Sequence, residues 1–132
     1  MEIHYKIIGI ILIILAIIHF VFPKFFDWKE ELKPLSLINR QMMYVHTFFI
    51  AFVVFLMGIL CLISSNELIN TQLGKTISLG LGLFWTIRFI FQFLVYSPKL
   101  WKGKYFESIV HIAFSILWLY LSVVFLKVGL SL

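Results

Sequence analysis

Four long apolar runs constrain this chain more than any other feature of its sequence. They cover residues 5–22, 41–63, 76–96 and 108–127, and each is close to the ~20 residues that a helix needs to cross a bilayer. A spanning backbone must satisfy its own hydrogen bonds, and each run is too long for a barrel strand, so helices are expected. The sequence predicts an all-α integral membrane protein, a four-transmembrane-helix bundle that forms a single domain over residues 1–132.

The composition agrees with a membrane protein and argues against a nucleic-acid-binding one. Of the 132 residues, 62% are hydrophobic and 13% are charged, whereas soluble domains are about half apolar and about a quarter charged. The net charge of +5 comes from cations between the apolar runs, where lipid phosphates are the expected anions. The first run lacks a small-x-small cleavage site and is longer than a signal-peptide core, so we expect it to remain as the first span.

The distribution of lysine and arginine predicts the orientation. Three cations fall on the side of the termini: Lys6, Lys75 and Lys127. Seven fall on the other side: Lys24, Lys29, Lys33, Arg40, Lys99, Lys102 and Lys104. Cytoplasmic loops carry the excess of cations. The protein is therefore expected to be integral to the cytoplasmic (inner) membrane, with loops 24–40 and 97–107 in the cytoplasm and both termini on the outer side.

The first loop, residues 24–38, alternates aromatic and charged side chains. Such segments lie in the headgroup region of a bilayer. We therefore predict a short interfacial helix around residues 27–33, with Asp27 as its N-cap. Two roles are open for it: it anchors the chain at the membrane surface, or it forms a lid over a site beneath.

Two of the apolar runs sort into faces at about 100° per residue. Along the fourth run and the residue before it, nearly all the polar side chains share one arc, which in lipid should face the protein interior: Glu107, Ser108, His111, Ser115, Trp118 and Ser122. In the third run small side chains recur at every fourth position and predict a close helix contact: Gly74, Ser78, Gly82 and Thr86. The single cysteine, Cys61, excludes an intramolecular disulfide and is expected to pack as a small hydrophobe.

Polar side chains from all four runs are predicted to lie near one membrane face. At about 1.5 Å per residue, His19, His46, His111 and Gln92 are counted roughly 5–8 Å inside that face, and Arg88 roughly 12 Å. An arginine at that depth costs ~2.5–3.5 kcal/mol on insertion scales and usually faces a partner or a cavity. We predict a ligand-binding pocket in the cytoplasmic half of the protein, built from these residues and three neighbours: His19, His46, Arg88, Gln92, His111, Trp85, Glu107 and Ser115.

The charge of Arg88 has two explanations, because no acidic residue lies inside any run. In the first, Glu107 folds in from the mouth and pairs with Arg88. In the second, Arg88 binds an anionic ligand such as a carboxylate, a phosphate, a haem propionate or a lipid headgroup, all of which suit the planar guanidinium.

Three functions fit this polar layer. The pocket binds an anionic, amphipathic, lipid-like molecule and moves it or acts on it, with His46 and His111 as candidates for acid–base catalysis. Alternatively, His19, His46 and His111 hold haem or a transition metal in a redox protein or an enzyme. In the third, the protein is a non-catalytic subunit whose polar layer fixes helix packing against a membrane-protein partner or a second copy. No HxxxH or HExxH motif is present to favour the metal.

Overall fold

Four helices in the computed structural model, which describes residues 1–131, are long and apolar enough to cross a membrane. They are α1 (Glu2–His19), α4 (Leu37–Ile63), α6 (Gln72–Leu94) and α7 (Tyr105–Gly129). Three short helices lie between them: α2 (Phe22–Phe25), α3 (Trp28–Glu31) and α5 (Ser65–Asn70). A 3-10 turn, Pro98–Leu100, connects α6 to α7, and the described residues contain no strand. The predicted all-α class with four membrane-spanning helices is confirmed.

The helix ends differ from the predicted span ends by a few residues. All four helices begin three or four residues earlier than predicted, because hydrogen-bonded turns continue into the polar flanks that a hydropathy pattern leaves out. The first span was expected to extend to residue 22, but α1 already ends at His19. Pro23 lies in the first turn of α2, where a helical N–H would have no partner and its loss costs nothing.

The first loop contains two single-turn helices in place of the one predicted helix. Asp27 occupies the N-cap position of α3, as predicted, but its side chain accepts no hydrogen bond from α3. Its backbone is left-handed, with φ 51° and ψ 49°, so the expected capping geometry was wrong. Trp28, the next residue, is 7% exposed, and it is the buried anchor of this loop.

The chain divides into two compact units, the first of which contains residues 2–65 and is built on α1 and α4. These helices pack antiparallel and approach closely at Gly9 and Gly58. A Cβ atom on Gly58 would lie 2.8 Å from the carbonyl oxygen of Gly9, so only glycine permits this approach. The buried core beside the crossing is apolar: Tyr5, Ile8, Leu12, Leu15, Ala51, Val54 and Cys61.

The second unit contains residues 66–131, and its main contact joins α6 and α7. The predicted small-residue ridge lies in this packing: Gly74, Ser78 and Gly82 are buried. A Cβ atom on Gly82 would lie 3.0 Å from the backbone nitrogen of Leu126 in α7. The Ser78 hydroxyl donates a hydrogen bond of 3.3 Å to the carbonyl of Leu68 in α5. The ridge therefore brings α6 close to both neighbouring helices, as its spacing indicates.

Candidate functional site

Gln92 is the centre of a polar network between α6 and α7. Its side-chain oxygen accepts hydrogen bonds from Arg88 Nη1, 3.3 Å away, and from Trp118 Nε1, 3.4 Å away. Its side-chain nitrogen lies 2.9 Å from Nδ1 of His111. Arg88 and Gln92 are one turn apart on α6, while His111 and Trp118 belong to α7. Gln92 is only 8% exposed, so it links the two helices from within their contact.

The network determines which ring nitrogen of His111 carries the proton. Arginine and tryptophan N–H groups can only donate, so the Gln92 oxygen must face them. The Gln92 nitrogen then faces His111 and donates to Nδ1, which must hold a lone pair. Neutral His111 consequently carries its proton on Nε2, and that N–H group remains for another partner.

Aromatic rings frame His111 on two sides. The ring of Trp101 stacks on it, with centroids 3.7 Å apart and an interplanar angle of 10°. The ring of Phe93 meets it edge-on at 5.6 Å. The Ser108 hydroxyl donates to the carbonyl oxygen of Trp101 at 2.7 Å, which ties the loop to α7. Ser115 donates to the carbonyl oxygen of His111 at 2.7 Å and so stays on its own helix. The imidazole is held by packing as well as by Gln92.

Arg88 is partly buried and has aromatic rather than acidic neighbours. Its Cζ atom lies 4.9 Å from the Trp118 ring centroid and 5.4 Å from that of Tyr96. Glu107 is exposed, and the ion pairs among residues 1–131 are Lys6–Glu2 and Lys33–Glu30. The pairing of Arg88 with Glu107 is therefore wrong. Within the same residues the guanidinium makes one protein hydrogen bond, to Gln92, and its other N–H groups are unpaired.

Trp85 provides a second unpaired donor in this unit. It lies one turn before Arg88, is 2% exposed, and stacks on Trp118 with centroids 5.1 Å apart. Its Nε1 atom is buried and has no hydrogen-bond partner among the described residues. Leaving such a donor unpaired costs about 1–3 kcal/mol, so an acceptor that reached it would stabilise the protein.

The first unit contains a separate cavity of about 190 Å³ beside His19. Its lining comes from the end of α1, the first loop and one face of α4: His19, Phe20, Pro23, Trp28, Tyr44, Thr47, Phe48 and Ala51. The Trp28 ring meets the Tyr44 ring edge-on at 5.4 Å. The first loop thus covers part of this cavity, as a loop that acts as a lid would. Tyr44, Thr47 and Phe48 were not predicted from the sequence, although their spacing with Ala51 is that of one helix face.

The predicted pocket residues fall into both units, and each unit brings some of them together. In the second unit Gln92 links Arg88 to His111, Trp85 stacks on Trp118, and Ser115 bonds to the His111 carbonyl. In the first unit His19 lines the cavity, while His46 is exposed and lies outside its lining. A site that combines all three histidines stays a prediction. Across residues 1–131 no group of three or more His, Cys, Asp or Glu side chains is placed to hold a metal ion.

The common depth also stays a prediction, since it was counted from the predicted span ends. Counted from the helix ends, His19 is the last residue of α1 and Gln92 lies two residues from the end of α6, or about 3 Å. His111 lies six residues inside α7, and His46 nine residues inside α4, or about 9 and 14 Å.

The described geometry is that of an all-α membrane protein with an unpaired arginine in one helix pair and a cavity in the other. Comparisons of the chain with protein-family models, with curated proteins and with solved structures found no significant match.

Proposed function

We propose that this protein binds an anionic, amphipathic, lipid-like molecule in the membrane, with the head group on Arg88. The observation that carries the proposal is that Arg88 has no acidic partner among residues 1–131 and only one protein hydrogen bond. A charge in an apolar environment is costly unless it is paired. A bound carboxylate or phosphate would supply the missing charge.

The contacts of Arg88 leave most of its N–H groups without a protein partner among the described residues. Trp118 and Tyr96 lie within cation–π distance of its Cζ atom, and neither ring accepts a hydrogen bond from the guanidinium. The N–H groups point outward in the plane of the guanidinium, where a carboxylate or phosphate binds with two parallel hydrogen bonds. The aromatic contacts hold the cation in place without neutralising it.

The nearby polar groups are donors, which favours a ligand rich in acceptors. His111 has an Nε2–H group because its Nδ1 atom accepts from Gln92. Trp85 has a buried Nε1–H group without a partner. Carboxylates and phosphates accept hydrogen bonds at several oxygens. The set therefore supports an oxyanion head group more than a cationic or a purely apolar ligand.

The outer surface of the same helix pair would take the apolar part of the ligand. Ile87, Phe91, Ile109, Ile112 and Ile116 are all exposed large hydrophobic residues of α6 and α7. The excess of cations in loops 24–40 and 97–107 supports entry from the cytoplasmic leaflet. The proposal is one of binding, and movement of the ligand or a reaction on it would follow from that step.

The test compares anionic lipid binding by wild type, Arg88→Gln and Arg88→Lys. The full chain is reconstituted in nanodiscs of phosphatidylcholine with increasing phosphatidylglycerol, and retained lipid is measured by native mass spectrometry. A hydrogen-bonded charge pair is worth about 1.5–3 kcal/mol, so Arg88→Gln should weaken retention roughly 10-fold or more. Arg88→Lys should be intermediate, because lysine keeps the charge and loses the bidentate geometry.

Arg40→Gln is the matched control, since Arg40 is the only other arginine and is also partly buried. It should reduce lipid retention far less than Arg88→Gln does. Equal retention by Arg88→Gln and Arg40→Gln, in proteins that elute as folded particles, would remove the proposal.

A further inference from the structure

We propose that the cavity beside His19 is a second binding site, which takes a small aromatic ring carrying a hydroxyl group. The ring would occupy the apolar space between α1, the first loop and α4, and its O–H group would donate to Nε2 of His19. This inference rests on residues 2–65 alone, so it does not depend on the role of Arg88.

The hydrogen bond made by His19 defines what the imidazole can offer. Its Nδ1 atom lies 2.8 Å from the carbonyl oxygen of Leu15. A carbonyl oxygen only accepts, so Nδ1 carries the proton and donates it. In neutral His19 the Nε2 atom then holds a lone pair. No hydrogen bond to Nε2 is made within residues 1–131, and His19 is one of the residues that line the cavity. His19 therefore brings to the lining of the cavity an acceptor without a donor among the described residues.

The size and walls of the cavity suit one aromatic ring. An apolar cavity of about 150 Å³ is large enough for benzene, and this one is about 190 Å³. Three of its walls are the aromatic side chains of Phe20, Trp28 and Phe48. Rings pack well edge-to-face or offset against such walls. The remaining volume accommodates a hydroxyl group and one small substituent.

The charges around the cavity exclude the ligand class proposed for Arg88. Its lining contains no lysine or arginine that could neutralise an anion, and no acidic residue that could pair with a cation. Its other polar side chains include the hydroxyl groups of Tyr44 and Thr47, which make no hydrogen bond within residues 1–131. These groups both donate and accept, so they tolerate a neutral phenol. A neutral ring with one donor is the class that matches.

The probe pair is 4-fluorophenol and fluorobenzene, which differ only in the hydroxyl group. Binding to the full chain in detergent micelles is followed by ¹⁹F NMR against a micelle-only blank, which accounts for partitioning into detergent. Wild type should bind 4-fluorophenol more tightly than fluorobenzene. His19→Phe should weaken 4-fluorophenol binding about tenfold, as expected for the loss of one hydrogen bond, and should leave fluorobenzene binding unchanged.

Two further variants test the location of the site. Thr47→Phe places a ring in the cavity and should abolish binding of both probes, which keeps the proposal testable if His19→Phe does not fold. His46→Phe changes an exposed histidine of α4 outside the lining and should bind both probes as wild type does. Arg88→Gln should also leave both probes unaffected, which separates this site from the proposed anion site.

Competition distinguishes a free phenol from the phenolic head of a lipid. Displacement of 4-fluorophenol by 4-methylphenol alone supports a small soluble ligand, and displacement by 4-nonylphenol as well supports a tailed one. Equal binding of 4-fluorophenol by wild type, His19→Phe and Thr47→Phe would overturn the proposal. So would equal affinity of wild type for the two fluorinated probes.

Discussion

Gln92→Met removes the polar centre of the second helix pair with little change in side-chain volume. Gln92 makes two hydrogen bonds to α7, with His111 at 2.9 Å and Trp118 at 3.4 Å. Interhelical hydrogen bonds in membrane proteins are worth about 0.6 kcal/mol on average, with a maximum near 1.7. The variant also leaves the buried Trp118 N–H group unpaired. We expect the free energy of unfolding to fall by roughly 1–2 kcal/mol in total.

The assay is equilibrium unfolding of the full chain in mixed micelles of increasing dodecyl sulfate content, followed by tryptophan fluorescence. Gln72→Met is the matched control, because Gln72 lies at the exposed start of the same helix. A double-mutant cycle with His111→Phe isolates one bond and should give a coupling energy of about 0.6 kcal/mol. A Gln92→Met variant as stable as Gln72→Met, with no coupling to His111, would refute the reasoning.

The same variant provides an independent spectroscopic readout at His111. In wild type, ¹⁵N NMR of neutral His111 should show an unprotonated Nδ1 and a protonated Nε2, because Gln92 donates to Nδ1. In Gln92→Met this preference should disappear, giving a mixture of the two tautomers. A wild-type spectrum with the proton on Nδ1 would mean that the amide of Gln92 has the opposite orientation.

Two further predictions concern the first unit. Gly58→Val should lower the free energy of unfolding by about 1–3 kcal/mol or more, because its Cβ would press on the Gly9 carbonyl. The control is Gly80→Ala in α6, which should be neutral or stabilising because nothing lies within 4 Å of the added Cβ. The same unfolding assay measures both variants, and equal effects would contradict the close crossing. Cys61 is fully buried and should react with a water-soluble maleimide only after unfolding; rapid labelling of the folded protein, measured by mass shift, would contradict that burial.

The number of spans and the packing ridge could be predicted because each follows from local pattern. An apolar run of membrane length requires a helix, and small residues at every fourth position identify a face that needs close approach. The burial of Gly74, Ser78 and Gly82 agrees with this. Helix ends follow backbone hydrogen bonds instead. The early end of α1 at His19, ahead of Pro23, therefore could not be obtained from hydropathy.

The candidate site could be predicted only in part. The depth count placed Arg88, Gln92 and His111 near one membrane face, but it could not give the contacts between their side chains. The contact of Gln92 with His111 depends on the antiparallel alignment of α6 with α7. Trp101 was missed because its stacking on His111 depends on the path of a loop.

The cavity beside His19 was missed for a related reason. It exists because the single-turn helix α3 brings Trp28 back over Tyr44. The left-handed backbone of Asp27 that starts this helix is a conformation for which a non-glycine residue gives no clear signal in sequence.

The division into antiparallel helix pairs has a consequence for biosynthesis. Each membrane-length helix finds its main partner as the next membrane-length helix along the chain, α1 with α4 and α6 with α7. During translation the first pair can close, including the glycine crossing, while the second pair is still being synthesised. The polar groups of α6, Arg88 and Gln92, have contacts on α7 with Trp118 and His111. Because α7 leaves the ribosome soon after α6, these groups can enter the membrane together with their partners.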